Sequence, residues 1–305
     1  MELHGFLNVD KPLGWTSHDV VGRLRRILNT KKIGHAGTLD PAATGVVVVG
    51  VGRATRFLDY VQHGSKSYIA HVVLGIESES ADIDGRALAK QEPSAFTDRR
   101  SSADLTGMLD EFTGEIDQVP PKYSAIKQGG EPLYRRMRRG EDVDVPIRRV
   151  WIESIELLFH SYPDLVLNVR CGPGVYIRSL ARDIGERLGT DAYLHHLVRT
   201  HVGRFHLSES LSLEYLSSVS VPESWTAIAS ATDSGVDESP ALYLDEQGKD
   251  AWYHGRSVAI GPEHGEVGQI VRAYDTSGAF AGIASPGEGR DSATRIRPRI
   301  VIASN

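Results

Sequence analysis

The sequence predicts an α+β fold in two parts, and three patterns carry this prediction. Apolar residues recur at helical spacing in TSHDVVGRLRRIL and YIRSLARDIGERLG. Apolar runs bounded by glycine, such as GVVVVGVG, indicate buried strands. From about Ala241 the chain becomes rich in glycine, with short strand-like pieces such as GQIVRAY and RIRPRIVIA. We therefore expect a mixed α+β part at residues 1–235 and a small all-β part at residues 241–305.

The elements of the first part follow in chain order. Thr16 or Ser17 can cap the first helix, and Asp19 lies in its first turn. GVVVVGVG and SYIAHVVLG predict strands, ADLTGMLDEFTG predicts a helix, and RRVWIESIELLFH and DLVLNVRCG predict two more strands. Gly189 is placed to end the helix that follows. The segment SSVSVPESWTAIASATDSGVDESP carries little pattern, so we place the connection between the two parts near it.

Composition is typical of a globular protein in a reducing compartment. The 305 residues are 40% hydrophobic and 24% charged. The chain has no apolar run of about 18 residues, and its N-terminus lacks the pattern of a signal peptide. Cys171 is the only cysteine, so no internal disulfide can form. We expect a cytoplasmic protein without a membrane span.

Charge is unevenly distributed along the chain. The formal net charge of −6 argues, taken alone, against a nucleic-acid partner. Yet Arg23–Lys32 holds five basic and no acidic residues, and Tyr134–Gly140 holds four arginines. Local basic patches, rather than net charge, decide contact with phosphates. For each patch by itself, a solvated helix face is the favoured explanation.

One acidic residue occupies a loop of small residues. Asp40 lies in GHAGTLDPAATG, just before the valine-rich strand. Such a loop brings backbone close to a ligand and holds one side chain in place. The alternative is a simple Asx turn before Pro41. Two further motifs, KSY with Tyr68 and VYIRSL with Arg178, each place an aromatic residue beside a cation at a predicted element end.

Other chemistries find little support. Neither G-x-x-x-x-G-K-[ST] nor G-x-G-x-x-G is present, so nothing indicates a nucleotide cofactor. Four histidines are close in sequence: His195, His196, His201 and His206. Neither an H-E-x-x-H motif nor a pair of cysteines accompanies them, so we expect surface or core histidines and no metal site. A glycoside hydrolase normally needs two carboxylates flanking the bond; the Asp40 motif holds no second acid, although a distant one could approach in the fold.

Five motifs, in the same order, resemble those of the TruB-type tRNA pseudouridine-55 synthase family. They are GFLNVDKPLGWTSHDVV, KKIGHAGTLDPAATGVVVVGVGRATR, KSYIAHVVLG, QVPPKYSAIKQGGEPLYRRMRRGE and GPGVYIRSLARDIG. The first two are the most specific, and the resemblance covers about Gly5 to Leu216. It implies a mixed, mostly antiparallel sheet with flanking helices. Residues 241–305 resemble, more loosely, the PUA-like RNA-binding domain of that family.

The resemblance also implies a reaction. The family isomerises a uridine in the T loop of tRNA to pseudouridine without cofactor or metal. Asp40 matches the catalytic aspartate, Tyr68 the tyrosine that stacks on the target base, and Arg178 the arginine that pairs with the aspartate. His35 and Tyr176 are assigned to substrate binding. How the aspartate acts stays open between attack at C1′, addition to the base and elimination through a glycal.

These implied roles agree with general physical chemistry. Burial raises the pKa of a carboxylate, and an adjacent guanidinium opposes that shift and orients the carboxylate better than lysine does. The target base must leave its stack, and an aromatic face recovers roughly 1–3 kcal/mol of the lost stacking. Val175 stands where the family commonly has threonine, which leaves the hydrogen bonds near Arg178 open.

Supporting and binding residues follow from the same resemblance. Lys11, in DKPLGWTS, is expected to brace the catalytic loop. A thumb-like insertion at about 119–149 is expected to meet RNA phosphates through Arg135, Arg136, Arg138 and Arg139. We expect the T stem-loop of tRNA as partner, no protein partner, and a monomer. The alternative is a non-catalytic RNA-binding or tRNA-folding protein of the same fold, although this chain retains the three catalytic-type residues.

Overall fold

The computed structural model describes residues 2–78, 81–83, 87–90, 101–121, 127–128, 131–132, 136–137, 139, 141, 143, 145–260, 269–286 and 295–302. The helices are α1 Ser17–Ile27, α2 Leu58–His63, α3 Ser102–Leu109, α4 Ile177–Leu188, α5 Leu213–Ser218, α6 Val221–Ile228 and α7 Glu246–Tyr253. The strands of the first part are β1 Gly5–Lys11, β2 Ile33–His35, β3 Ala43–Val51, β4 Lys66–Leu74, β5 Ile76–Ser78, β6 Ala87–Lys90, β7 Gly114–Gln118, β8 Lys127–Gln128, β9 Glu131–Pro132, β10 Arg148–Ser161, β11 Asp164–Cys171, β12 Ala192–Val202 and β13 Phe205–His206. Those of the second part are β14 Ala241–Tyr243, β15 Val258–Ala259, β16 Val271–Tyr274, β17 Phe280–Pro286 and β18 Arg295–Val301.

The centre of the first part is a nine-stranded sheet with the order β1-β3-β12-β4-β11-β10-β7, to which β2 and β13 add at β3 and β12. Within the described residues, β3 and β12 pair in parallel, and the other neighbours in this sheet pair antiparallel. The prediction of a mixed, mostly antiparallel sheet is therefore confirmed. Alternate residues of β4 and β11 pack with the apolar faces of α1 and α4 in one core.

Helix α1 begins as its sequence predicts. The Thr16 hydroxyl accepts a hydrogen bond from the Asp19 N–H at 3.0 Å, and the Asp19 carboxylate accepts one from the Thr16 N–H at 2.9 Å. This reciprocal capping box satisfies two donors that a helix start otherwise leaves unpaired. Val20 and Leu24 are buried in the core, so α1 is held against the sheet beside the loop that carries Asp40.

Gly45 brings β3 and β12 unusually close. Its φ is +102°, and a Cβ there would lie 2.3 Å from the carbonyl oxygen of Arg199. A side chain at this position would clash with that backbone, so only glycine allows the approach. The close contact places Arg199 directly beneath the loop that precedes β3.

The segment near which we placed the connection is not patternless throughout. Residues 221–228 form α6, with Pro222 in its first turn. Val221 and Trp225 are buried in the main core, and the Trp225 indole donates to the His4 carbonyl at 3.0 Å. Our expectation of little pattern is wrong for these residues, because Val221, Trp225 and Ile228 recur at helical spacing, although over only two turns.

The second part contains a five-stranded sheet with the order β14-β16-β17-β18-β15, which confirms the predicted β-rich C-terminal part. It also carries the helix α7. It packs on the first part through an apolar cluster in which the rings of Phe57 and Phe280 are 5.5 Å apart. The boundary between 235 and 241 stays a prediction. None of the helices in the described ranges has the length and hydropathy of a membrane span.

Candidate active site

Asp40 lies on an anchored loop between β2 and β3. The preceding residue, Leu39, is buried, and its backbone exchanges hydrogen bonds with the Ser17 hydroxyl at 2.8 and 3.3 Å. After Asp40, a turn closes with the Ala43 N–H donating to the Asp40 carbonyl at 3.1 Å. The carboxylate of Asp40 is itself 40% exposed. The loop therefore presents a fixed acid toward solvent.

Arg178, in the first turn of α4, joins Asp40 to a second acid. Its Nε lies 3.0 Å from Asp40 Oδ2, and its Nη1 lies 3.2 Å from Asp82 Oδ2. The Arg178 side chain is 8% exposed and that of Asp82 10% exposed, so this second ion pair is nearly buried. The structure thus brings together the two residues that the motifs paired, and it adds Asp82, which sequence reasoning missed.

A narrow cleft opens beside this pair. It is lined by Asp40, Ala42, Ala43, Asp82, Arg178, Leu194, His195, His196 and Leu197. Its empty space is about 240 Å³, part of which is open solvent, but only about 10 Å³ can hold the centre of a water molecule. That is room for about one water. A nucleobase therefore needs a wider cleft than this one, or lies at its mouth.

Tyr68 lies deeper in the fold than a stacking role suggests. It is 8% exposed, belongs to the main apolar core and is not among the residues that line the cleft. Burial raises the pKa of its hydroxyl, which accepts a hydrogen bond from Arg199, its neighbour across the β4–β12 pair. Its role under a base stays a prediction.

Arg199 is a second residue that sequence reasoning missed. It is 2% exposed. Its guanidinium donates to the carbonyls of Val46 at 2.7 Å, Thr38 at 3.2 Å and Gly37 at 3.4 Å. These acceptors belong to β3 and to the loop of Asp40. Together with its contact to Tyr68, Arg199 links the acid's loop to the aromatic residue beneath it.

Lys11 holds the same loop from the other side. It is fully buried, and its ammonium donates to the carbonyls of Trp15 at 2.7 Å, Pro12 at 2.9 Å and Pro41 at 3.4 Å. Burial lowers the pKa of Lys11 to about 8, although the charge of Asp40 opposes this shift. The geometry is that of a brace for the residue next to Asp40, as the resemblance implies.

His35 and Tyr176 flank the site at two different elements. His35 ends β2, and burial lowers the pKa of its imidazole, so the ring is neutral at neutral pH. Tyr176 immediately precedes α4, and its ring packs on Val143 in the insertion. The substrate-binding roles of both residues stay predictions.

Of the four insertion arginines assigned to phosphates, Arg136 and Arg139 are described, and both have acidic partners. Arg136 Nε lies 2.7 Å from Glu141, and Arg139 contacts Glu131 at 2.5 Å and Glu141 at 2.7 Å. Phosphates would have to compete with these carboxylates. Arg135 and Arg138 lie outside the described residues. Within the described ranges, no three His, Cys, Asp or Glu side chains are grouped to hold a metal ion.

The chain is similar in sequence to known proteins over most of its length. Residues 25–177 match the model of the TruB family pseudouridylate synthase N-terminal domain, and residues 178–233 match that of the tRNA pseudouridylate synthase B C-terminal domain. A Synechococcus protein named tRNA pseudouridine synthase B is 38% identical over 309 residues, covering 100% of both chains. A protein of that name from Leifsonia xyli subsp. xyli is 40% identical, covering 92% of this chain and 91% of the relative.

The fold is also found among solved structures. A chain in the crystal structure of a Cbf5-Nop10-Gar1 complex superposes with a TM-score of 0.72 at 24% identity, covering 99% of this chain and 84% of that one. This likeness supports the architecture alone. With both family models matched in tandem and relatives aligned over their full length, the chain belongs to the TruB family of pseudouridylate synthases.

Proposed function

We propose that this chain isomerises uridine to pseudouridine in tRNA, with Asp40 as the reacting acid and Arg178 as its partner. The observation that carries the proposal is the 3.0 Å Asp40–Arg178 ion pair at the mouth of a cleft. Support also comes from full-length relatives named tRNA pseudouridine synthase B. Membership of this family favours an enzyme over the alternative of a non-catalytic RNA-binding protein.

The reaction needs one bond to break and another to form at the same sugar carbon. The N1–C1′ bond of uridine breaks, a C5–C1′ bond forms, and the proton leaves C5 while N1 gains one, so no atom is added or lost. An ionised carboxylate on a fixed loop can attack C1′, add to the base or take a proton from the sugar. In each case Arg178 orients the carboxylate through its contact to Oδ2 at 3.0 Å.

Base entry requires a change at the cleft. The target base has to leave its stack, which costs a few kcal/mol. The space beside Asp40 fits about one water, so a base either lies at the mouth of the cleft or enters after the walls formed by Asp82 and by residues 194–197 separate. Tyr68 is nearly buried and does not line the cleft, so stacking on a base would require a movement that uncovers its ring.

The finer substrate assignment is the T stem-loop of tRNA at position 55, bound by the chain as a monomer. Arg136 and Arg139, with Arg135 and Arg138, would meet its phosphates, and His35 and Tyr176 would contact the flipped nucleotide. Binding should weaken steeply with salt, because each phosphate contact releases a counterion. Sedimentation of the free chain and of its complex with a T stem-loop RNA tests the stoichiometry.

The experiment that tests the function is pseudouridine mapping on a T stem-loop RNA with the wild type and Asp40→Asn. Asparagine keeps the size of the side chain but is neither charged nor a nucleophile. We expect RNA binding within about threefold of the wild type and no pseudouridine. A variant with near-normal turnover would disprove the role of Asp40. A wild type that binds the RNA without product, on this substrate and on full-length tRNA, would favour the non-catalytic alternative.

A further inference from the structure

Gln118 is a buried amide at the root of the insertion. It is the last residue of β7 and is 1% exposed. Its side chain makes two hydrogen bonds with the backbone of one residue: the Tyr176 N–H donates to Gln118 Oε1 at 2.8 Å, and Gln118 Nε2 donates to the Tyr176 carbonyl at 3.1 Å. The side-chain amide of Gln118 thus hydrogen-bonds both backbone polar groups of Tyr176.

Tyr176 is the N-cap residue of α4, and its own side chain makes no capping hydrogen bond. Ser, Thr, Asp and Asn are the side chains that usually stabilise this position. Here Gln118 fixes the backbone of the cap residue from another element. Arg178 lies two residues further on, in the first turn of α4, so the direction of its guanidinium depends on how that turn is held.

Val119, the first residue of the insertion, also contacts α4. The Val119 carbonyl accepts hydrogen bonds from the Ser179 hydroxyl at 2.7 Å and from Arg182 Nη2 at 3.1 Å. Ser179 is fully buried. Residues 118–119 are therefore tied to residues 176–182 by the two amide contacts and these two side-chain contacts.

The far end of the insertion reaches the same residue. The Tyr176 ring packs against Val143, which is 3% exposed, in a small cluster with Met137 and Val145. Both ends of the insertion thus converge on Tyr176, and Tyr176 precedes the turn that holds Arg178.

We propose that Gln118 is a positioning residue, which fixes the first turn of α4 and thereby directs Arg178 at Asp40. It links the RNA-binding insertion to the reacting acid without itself touching either the RNA or Asp40. The role rests on the proposed function. A displacement of about 1 Å at a reacting group lowers the rate on the order of 100-fold. Loss of the two hydrogen bonds between Gln118 and Tyr176 should therefore slow the chemical step and leave RNA binding unchanged.

The test compares Gln118→Leu with a matched control, Asn8→Leu. Asn8 is a buried amide, 7% exposed, that donates to the His206 carbonyl at 2.7 Å, away from α4. We measure thermal stability, the Kd for tRNA, and the single-turnover rate at saturating tRNA. For Gln118→Leu we expect a rate about 10- to 100-fold below the wild type and a Kd within about threefold. For Asn8→Leu we expect a similar loss of stability with a rate within about threefold of the wild type.

A second variant, Gln118→Glu, separates positioning from simple destabilisation. An ionised glutamate accepts from the Tyr176 N–H but cannot donate to the Tyr176 carbonyl, whereas the protonated acid can do both. A buried glutamate has a raised pKa. We therefore expect its rate, relative to the wild type at each pH, to recover as pH falls from 8 to 6. This variant also decides the question if Gln118→Leu does not fold.

Hydrogen exchange of the 176–182 backbone gives a readout that does not need activity. We expect faster exchange there in Gln118→Leu and no change there in Asn8→Leu. A folded Gln118→Leu with unchanged exchange and a wild-type rate overturns the proposal, as does an equal rate loss in Asn8→Leu. If the wild type forms no pseudouridine, the proposed function fails, and the exchange data alone decide whether Gln118 positions the turn.

Discussion

Replacing Arg178 with lysine removes one of two contacts while keeping the positive charge. The guanidinium contacts Asp40 through Nε and Asp82 through Nη1, at 3.0 and 3.2 Å. These two nitrogens lie on different sides of the planar group. A lysine has a single nitrogen on a flexible stem, so Arg178→Lys can serve one carboxylate well and leaves the other without this partner.

The size of the effect follows from which contact is lost. A hydrogen bond to a charged group contributes about 1.5–3 kcal/mol, and each 1.36 kcal/mol is a factor of ten in rate. If the lysine turns to Asp82, the oriented contact to Asp40 is lost and turnover should fall about 10- to 150-fold. If it turns to Asp40, the nearly buried Asp82 loses this partner, and the free energy of unfolding should drop by about 3 kcal/mol.

The two outcomes are separated by measuring single-turnover pseudouridine formation and urea unfolding on the same protein. Arg187 provides the matched control, because it lies on the same helix and pairs with Glu111 at 2.6 Å, but its side chain is 47% exposed. Arg187→Lys should change both quantities little, as exposed ion pairs contribute less than about 1 kcal/mol. An Arg178→Lys protein with normal rate and normal stability would refute the argument that the guanidinium bridges two acids.

Further predictions concern the supporting structure. Cys171 is 1% exposed, and burial raises the pKa of its thiol to about 12. It should resist a thiol reagent at pH 8 in the folded chain and react once per chain in guanidinium. Reaction in the folded chain would contradict its burial. Gly45→Ala should lower the free energy of unfolding by several kcal/mol, because its Cβ would lie 2.3 Å from the Arg199 carbonyl oxygen; urea unfolding checks this, and a neutral result would mean that β3 and β12 can separate. Arg199→Met should lower the free energy of unfolding by at least about 3 kcal/mol, since three carbonyls lose a charged donor; a Gln62→Met variant, at an exposed position of α2, serves as the control for the methionine.

Elements with a complete local signal could be predicted from sequence. Thr16 and Asp19 form the capping box that their spacing predicts, and Gly189 ends α4 with a φ of +77°. Both signals lie within one segment and need no tertiary contact. The signal of helix α6 is weaker, because its apolar period, Val221, Trp225 and Ile228, spans only two turns among serines and alanines.

The site was only partly accessible from sequence. Asp40 and Arg178 were paired through motifs, since nothing in local spacing relates residues that far apart. Asp82 lies in a run of acids and serines, ESESADIDG, where any of the acids is equally suited to face solvent. Arg199 occupies a polar position in HHLVRTHV. Arg199 is buried because β3 and β12 approach closely at Gly45. The local sequence pattern does not reveal this contact.

The buried cations explain why the loop of Asp40 can be both rigid and acidic. Lys11 and Arg199 donate to carbonyl oxygens of the loop, of β3 and of residues near α1, so they fix backbone and leave the Asp40 carboxylate unengaged by either. The cation that contacts and orients the carboxylate is Arg178, at 3.0 Å. The arrangement perturbs Lys11: its pKa is lowered to about 8, mainly by burial, with the charge of Asp40 opposing the shift and the charge of Arg199 adding to it.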